Sequence, residues 1–180
     1  KLLKAPDDVV VLFEDEFSLS NTSTLSYTWS RRGCQPLAVC KQHGRERQTA
    51  MGSYNMESGQ ITVSFHQKGN YQSFKKHLKK ILYIYRGHSK IILIVDNVRF
   101  HHAKLLKKWL QDKPQLELVY LPPYSPELNP VERAWWYMRK SITHNRYMQS
   151  LSQRKVAFWK MFSHFQKPNE ELLKVCAINY

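Results

Sequence analysis

The stretch Tyr120-Leu-Pro-Pro-Tyr-Ser-Pro-Glu-Leu-Asn-Pro-Val-Glu-Arg-Ala-Trp135 closes one apolar run and opens a helical pattern. Leu116 to Tyr120 reads as a strand, and the prolines that follow stop it. Asn129 then reads as a helix cap, with Pro130 at the first helical position. Glu132, three residues past the cap, completes a capping-box pattern, which is reason enough for it when taken alone. Upstream, with 35 residues between, Asp96-Asn97 ends the apolar run Ile91 to Val95. Near the start, Val9-Val-Val-Leu-Phe13 runs directly into Glu14-Asp15-Glu16.

The remaining elements fall around these three. Residues 18–46 are polar and read as a long inserted loop, with a short extended piece at Tyr27-Thr-Trp-Ser30. Gln48 to Tyr54 and Gln60 to His66 form a hairpin about the turn residues Asn55-Met-Glu-Ser-Gly59. Phe74, Leu78, Ile81, Leu82 and Tyr85 make one helical stripe over residues 71–85, flanked by Lys75, Lys76, Lys79 and Lys80. A second helix is expected over 102–112, a third over 130–144, and two more in the tail, broken near Pro168. Strands separated by helices favour parallel pairing, and the hairpin adds antiparallel strands to one side. The pattern predicts an α/β fold, a mixed five-stranded sheet flanked by helices on both faces. Residues 1–145 form the core in this reading, and 146–180 a C-terminal helical extension of the same domain.

A chain of 180 residues with 42% hydrophobic content builds one packed domain more readily than two. Its 28 Lys and Arg against 14 Asp and Glu give a formal charge of +14. Such a surplus favours a polyanionic partner through counterion release from phosphates. No apolar run approaches the length of a spanning helix, so no membrane partner is expected. The absence of a Gly-rich phosphate loop argues against a small-molecule enzyme. Cys34, Cys40 and Cys176 are odd in number and lack metal-type spacing, which points to a reducing compartment. The chain opens on Lys1-Leu-Leu-Lys without an initiator Met, as an excised piece of something longer would.

Strand alternation puts Asp15 in phase with Phe13 and Phe17, and Asp96 in phase with Ile92 and Ile94. If their strands are neighbours, the two carboxylates converge, and their repulsion either raises a pKa or demands a cation. Mg²⁺ suits such a site, being a hard ion that takes oxygen ligands and retains waters for substrate phosphates. A pair of ions roughly 3.5–4 Å apart holds both the attacking and leaving oxygens of a phosphodiester.

Residues 9–140 resemble the catalytic core of DDE transposases of the mariner superfamily, specifically the bacterial insertion-sequence six-thirty group. Three blocks carry the resemblance: Val11-Leu-Phe-Glu-Asp-Glu16, Ile94-Val-Asp-Asn-Val-Arg-Phe-His101, and Leu121 to Trp135. The last is the most specific. The resemblance implies a ribonuclease H-like fold, with Asp15, Asp96 and Glu132 as catalytic, metal-binding residues. It implies Mg²⁺, with Mn²⁺ as a substitute and two ions when DNA is bound. Its chemistry would be cleavage at transposon ends, then attack of the freed 3′-hydroxyl on target DNA, in a homodimer. The compartment would be cytoplasmic, nucleoid-associated in a bacterium or nuclear in a eukaryote. The family's upstream helix-turn-helix modules have no room before Val9, so the chain resembles an isolated core. Two rivals remain: a stand-alone nuclease of the same fold, and a domesticated or truncated relative that binds DNA without cutting.

Asn97 and His101 are candidates for positioning the scissile phosphate or a metal-binding carboxylate. Trp29, Arg31 and Arg32 in the long loop, with Tyr124 and Arg133 beside the third carboxylate, are candidates for touching DNA. Trp29 and its loop serve equally to clasp a partner subunit. Trp135 belongs to the core through its spacing with Val131, Met138 and Ile142, and His102 packs beside Leu106. Glu14 and Glu16 are expected to pair with some of the 28 Lys and Arg, with metal binding by one of them as the alternative.

Overall fold

The computed structural model describes residues 6–20, 26–37, 46–123 and 125–177. Five strands form a single sheet in the order β3-β2-β1-β4-β5. β1 (Val9–Ser20), β2 (Arg47–Asn55) and β3 (Ile61–His66) pair antiparallel, while β4 (Lys90–Val95) and β5 (Leu116–Tyr120) continue the other side in parallel. β1 is therefore the central strand, and the mixed sheet is the expected one.

Alternation along β1 divides the core in two. Phe13, Phe17 and Leu19 face a cluster with Trp135, Phe158, Phe162 and Leu172. Val10 and Leu12 face the other, with Phe74, Leu78, Ile81 and Leu106. Helices α1 (Tyr71–Ile84) and α2 (Lys104–Gln111) thus cover one face. On the other lie α3 (Pro130–Ile142), α4 (Leu151–His164) and α5 (Glu170–Cys176). Local chemistry sets the starts: the side chains of Asn70, Ser150 and Asn169 accept backbone N–H groups in the first turns of α1, α4 and α5.

The turn between β2 and β3 is closed by the Asn55 side chain, which accepts from the amides of Glu57 and Ser58. Gly59 follows at φ 70, in the left-handed region, and a Cβ there would meet the Asn169 carbonyl at 2.1 Å. The tail docks on this hairpin: Ile61 donates to the Phe165 carbonyl at 2.9 Å and Asn169 to that of Ser58 at 2.8 Å.

Three expectations are corrected. Residues 18–20 belong to β1 rather than to the loop, because Ser18, Leu19 and Ser20 pair with Thr49, Gln48 and Arg47. Tyr27 to Ser30 carry no strand. The helix expected from residue 102 begins at Lys104, after a tight turn over Arg99–His102. His102, just before that helix, stacks on Tyr120 with ring centroids 4.3 Å apart.

Candidate active site and metal centre

Phe13 pairs with Ile94 at the last register position of β1 with β4, so Asp15 and Asp96 lie level, each two residues further on. Beyond that position β1 continues alone on the β4 side. Its side chains there reach around the end of β4, and carboxylate oxygens of Asp15, Glu16 and Asp96 all lie within 4.8 Å of one another. Glu132 joins from α3. Asn129, which caps that helix by accepting from Val131, donates through its side-chain amide to the Glu14 carbonyl at 3.0 Å. One residue thereby starts the helix and ties its first turn to the acidic stretch of β1. Asp15, Asp96, Asn97, Pro122, Asn129 and Glu132 line one cleft of about 400 Å³. The Glu132 side chain is exposed.

His101 organises the far side. Its Nδ1 lies 3.2 Å from Asp96 Oδ1 and 3.1 Å from the Asp96 carbonyl; its Nε2 lies 3.1 Å from Glu16 Oε1 and 3.7 Å from Glu14 Oε2. Both nitrogens face only acceptors, so both must donate, which the imidazolium alone does. Burial opposes that charge, but hydrogen bonds to Asp96 and Glu16 outweigh it and lift the His101 pKa to about 9. Phe74 and Phe100 wall the ring, at centroid distances of 4.1 and 4.7 Å. Burial also works against the Asp96 carboxylate. Donation from His101 and from the Val98 amide overcomes it and holds Asp96 below its ordinary value.

Asp15 and Glu14 have no such support. Burial, with Glu132, Glu16 and Asp96 nearby, pushes Asp15 up to about 8, and its Oδ2 has no hydrogen-bond partner. Burial likewise raises Glu14, reinforced by Glu16, Asp15 and Asp96, and both its carboxylate oxygens lack a hydrogen-bond partner. The expected pairing of Glu14 with a basic side chain is corrected: it is fully buried, facing His101. Glu16 too meets His101 rather than a Lys or Arg. An all-oxygen cluster with buried, unpartnered carboxylate atoms is what a hard divalent cation would complete.

The structure therefore brings Asp15, Asp96, Asn97 and Glu132 to one cleft and sets His101 directly behind. Asn97 spans to β5, its side-chain amide donating to the Leu121 carbonyl while its Oδ1 lies 3.2 Å from His102 Nε2. Arg133 turns away and donates to the Ala177 carbonyl. Trp29, Arg31 and Arg32 are exposed and do not line the cleft; Tyr124 lies outside the described residues. Sequence reasoning undervalued Glu14 and Glu16. Their phase with Leu12 and the position of His101 five residues after Asp96 were the available signals.

The profile of the family described as DDE superfamily endonuclease matches residues 10–155. The uncharacterized 39 kDa protein of insertion element IS630 from Shigella sonnei is 30% identical over 168 residues, covering 92% of this chain and 49% of that one. The protein y4pE/y4sA of Sinorhizobium fredii is 36% identical over 75 residues, 42% of this chain and 53% of its own length. Among solved structures, the Mos1 transposase paired-end complex with its left transposon end has a TM-score of 0.69 at 16% identity, covering 92% of this chain and 51% of that chain. The Mos1 mariner paired-end complex with Mn follows at 0.68 and 15%, with the same coverage. The chain spans about half the length of the relatives it matches. The chain shares its fold with the Mos1 transposase, and the family match over residues 10–155 shows that it belongs to the DDE superfamily endonucleases.

Proposed function

We propose that this chain is the catalytic part of a transposase that cuts DNA at the ends of a mobile element and joins the freed 3′-hydroxyl to target DNA. The observation that carries the reading is the level pair Asp15 and Asp96, one with a buried oxygen lacking any partner, facing the cleft that Glu132 also lines. In this reading Asp15, Asp96 and Glu132 hold Mg²⁺, or Mn²⁺ in its place, with two ions once DNA is bound. The cation would activate water or a 3′-hydroxyl for attack and stabilise charge on the phosphate. His101 fixes the Asp96 carboxylate, and the Asn129 cap fixes the helix that carries Glu132. Asn97, which lines the same cleft, would orient a phosphate in this reading.

DNA is the proposed partner, supported by the charge of +14 and by the Mos1 complexes with transposon ends. A homodimer is proposed on the inserted loop. Tyr27, Trp29 and Leu37 are fully exposed there, and the loop's base is tied to the turn after α3 by two 3.0 Å hydrogen bonds between Ser26 and Asn145. Arg31 and Arg32 on the same loop, Tyr124, and Arg133 are proposed DNA contacts. No helix among the described residues is long and apolar enough to cross a membrane; the proposed location is with the DNA, in the nucleoid if bacterial.

The test is cleavage of a duplex carrying the element's end, with and without Mg²⁺ or Mn²⁺. Wild-type protein should nick it only with the cation. Asp96→Asn should lower the rate by at least ~100-fold, the range of other electrostatic catalytic groups, while binding DNA equally well or better. Undiminished cleavage by that variant would remove Asp96 from the site. Tight DNA binding without cleavage by the wild type would favour the non-cutting relative.

A further inference from the structure

Residues 61–111 contain eleven of the 28 Lys and Arg but one of the 14 acidic residues, Asp96. The segment includes α1 and α2, which share a core with Leu93 and Val95 on the sheet face opposite α3. Their outer surfaces carry Lys76, Lys79, Lys104, Lys107 and Lys108, all exposed. Lys75 joins the two helices, its Nζ lying 5.3 Å from the centre of the Trp109 ring. Among the described residues the one lysine–carboxylate ion pair is Lys90–Glu117, at the end of β4 remote from Asp96. The helices over the other face carry the same number of Lys and Arg, seven, but over a longer stretch and with Glu132, Glu170 and Glu171 among them, whereas α1 and α2 carry no carboxylate. The uncompensated positive charge is therefore denser on the α1–α2 side of the sheet.

Intrahelical chemistry does not account for this. Like charges three and four residues apart, as in Lys75/Lys79 and Lys104/Lys108, repel by a few tenths of a kcal/mol per pair. A face built only for solubility would intersperse carboxylates. Both helices also begin at the catalytic end of the sheet. α2 follows directly on the turn after Asp96, and α1 follows β3, which runs in the same direction as β1. Their partly positive N-termini thus add to the field at that end. Along each helix, lysines four apart rise about 6 Å, close to the ~6.8 Å covered by alternate phosphates of one B-DNA strand.

We infer that the α1–α2 face is a phosphate-binding platform for duplex DNA lying outside the cleft, separate from the strand being cut. The inference rests on the reading that the chain acts on DNA. Duplex DNA fits better than an anionic membrane, because the lysines line two rigid helices whose buried stripes are already spent on the sheet. The exposed apolar side chains of the two helices, Tyr83 and Ile84 at the end of α1 and Leu105 among the lysines of α2, do not form the continuous apolar stripe that seats a helix in lipid.

The experiment compares two quadruple variants with the same charge change. One replaces Lys76, Lys79, Lys104 and Lys108 by Gln; the other replaces Lys140, Lys160, Lys167 and Lys174, which are exposed on the opposite side. Affinity for a short duplex of unrelated sequence is measured across a salt series in EDTA, so that cleavage plays no part. The α1–α2 variant should bind at least ~10-fold more weakly near physiological salt, with a log–log salt slope shallower by about 3–4, while the control changes by less than half of that. Equal losses in the two variants would reduce the effect to net charge and overturn the platform. So would an unchanged slope, or wild-type binding to anionic vesicles but not to duplex. Pairwise variants, Lys76/Lys79 and Lys104/Lys108, should each remove about half of the slope change and guard against a folding defect in the quadruple. Cation-dependent cleavage is scored separately: its absence from the wild type would sink the catalytic reading and leave this binding result standing.

Discussion

Asp15 sits under a conflict that its protein neighbours do not relieve. Burial and three nearby carboxylates, Glu132, Glu16 and Asp96, oppose its charge, whereas His101 is committed to Asp96 and Glu16. A carboxyl whose folded pKa is raised from 3.8 to about 8 contributes stability that is fully present below the lower value and lost as pH rises through the upper one. Asp15→Asn should therefore melt with the wild type near pH 4 and increasingly above it towards pH 8. The expected gain by then is about 2 kcal/mol, or roughly 5 °C. Adding Mn²⁺ should stabilise the wild type and leave the variant unmoved. Equal melting curves across that range would show that Asp15 is solvated and its charge harmless. The phase of Asp15 and Asp96 was legible in period-two alternation, whereas their convergence required neighbouring strands, which the pairing of β1 with β4 supplies. The burial of Glu14 against His101 was not legible, because it depends on β1 outrunning β4, a fact of register that a single sequence does not carry.

At the scale of elements, the placement of Glu132 depends on a gap in β2. Gly52 is the register partner of Asp15, and a Cβ on it would lie 2.4 and 2.5 Å from the ring of Trp135, one turn along α3 from Glu132. Trp135 is itself held against Phe17 at a ring distance of 4.9 Å and against Phe162 at 5.9 Å, so it has little room to retreat. Gly52→Ala should cost about 1–3 kcal/mol of stability and move α3, lowering cleavage further than the loss of folded protein explains. Adding Trp135→Phe should restore part of both, since the smaller ring vacates the contested space, and a double-mutant cycle reads the coupling. Strictly additive effects would mean that the helix does not rest on this contact. The helix itself was plain from Asn129, Pro130 and the Val131, Trp135, Met138 spacing, as the strands were from their apolar runs. What escaped was the last part of β1, where Ser18 and Ser20 look like loop residues and become strand only because Arg47 to Thr49 pair with them. Polar residues at a strand's end are defined by their partners, which lie nearly thirty positions away.

For the whole molecule, the question is where the folding unit ends. The sequence reads as a core to residue 145 with a helical extension, and the family match reaches residue 155. The packing runs on through both positions. Phe158, Phe162, Phe165 and Leu172 are essentially without solvent exposure, and they close the face of the sheet formed by Phe17, Ala50, Tyr54, Ile61 and Val63. Arg154 is buried as well and donates to the Ser20 carbonyl at 2.8 Å, securing the end of β1. Burying each large apolar side chain is worth about 1.5–3 kcal/mol, so these four alone account for roughly 6–12 kcal/mol. That approaches the ~5–15 kcal/mol by which whole domains are stable. A fragment ending at residue 145 should therefore lack a cooperative melt and expose the aromatic face of its sheet, whereas one ending at residue 177 should unfold in a single transition. Circular dichroism with dye binding distinguishes the two. A cooperative transition in the shorter fragment would make α4 and α5 an appendage, and the core would then have to be stabilised by α3 and the hairpin alone.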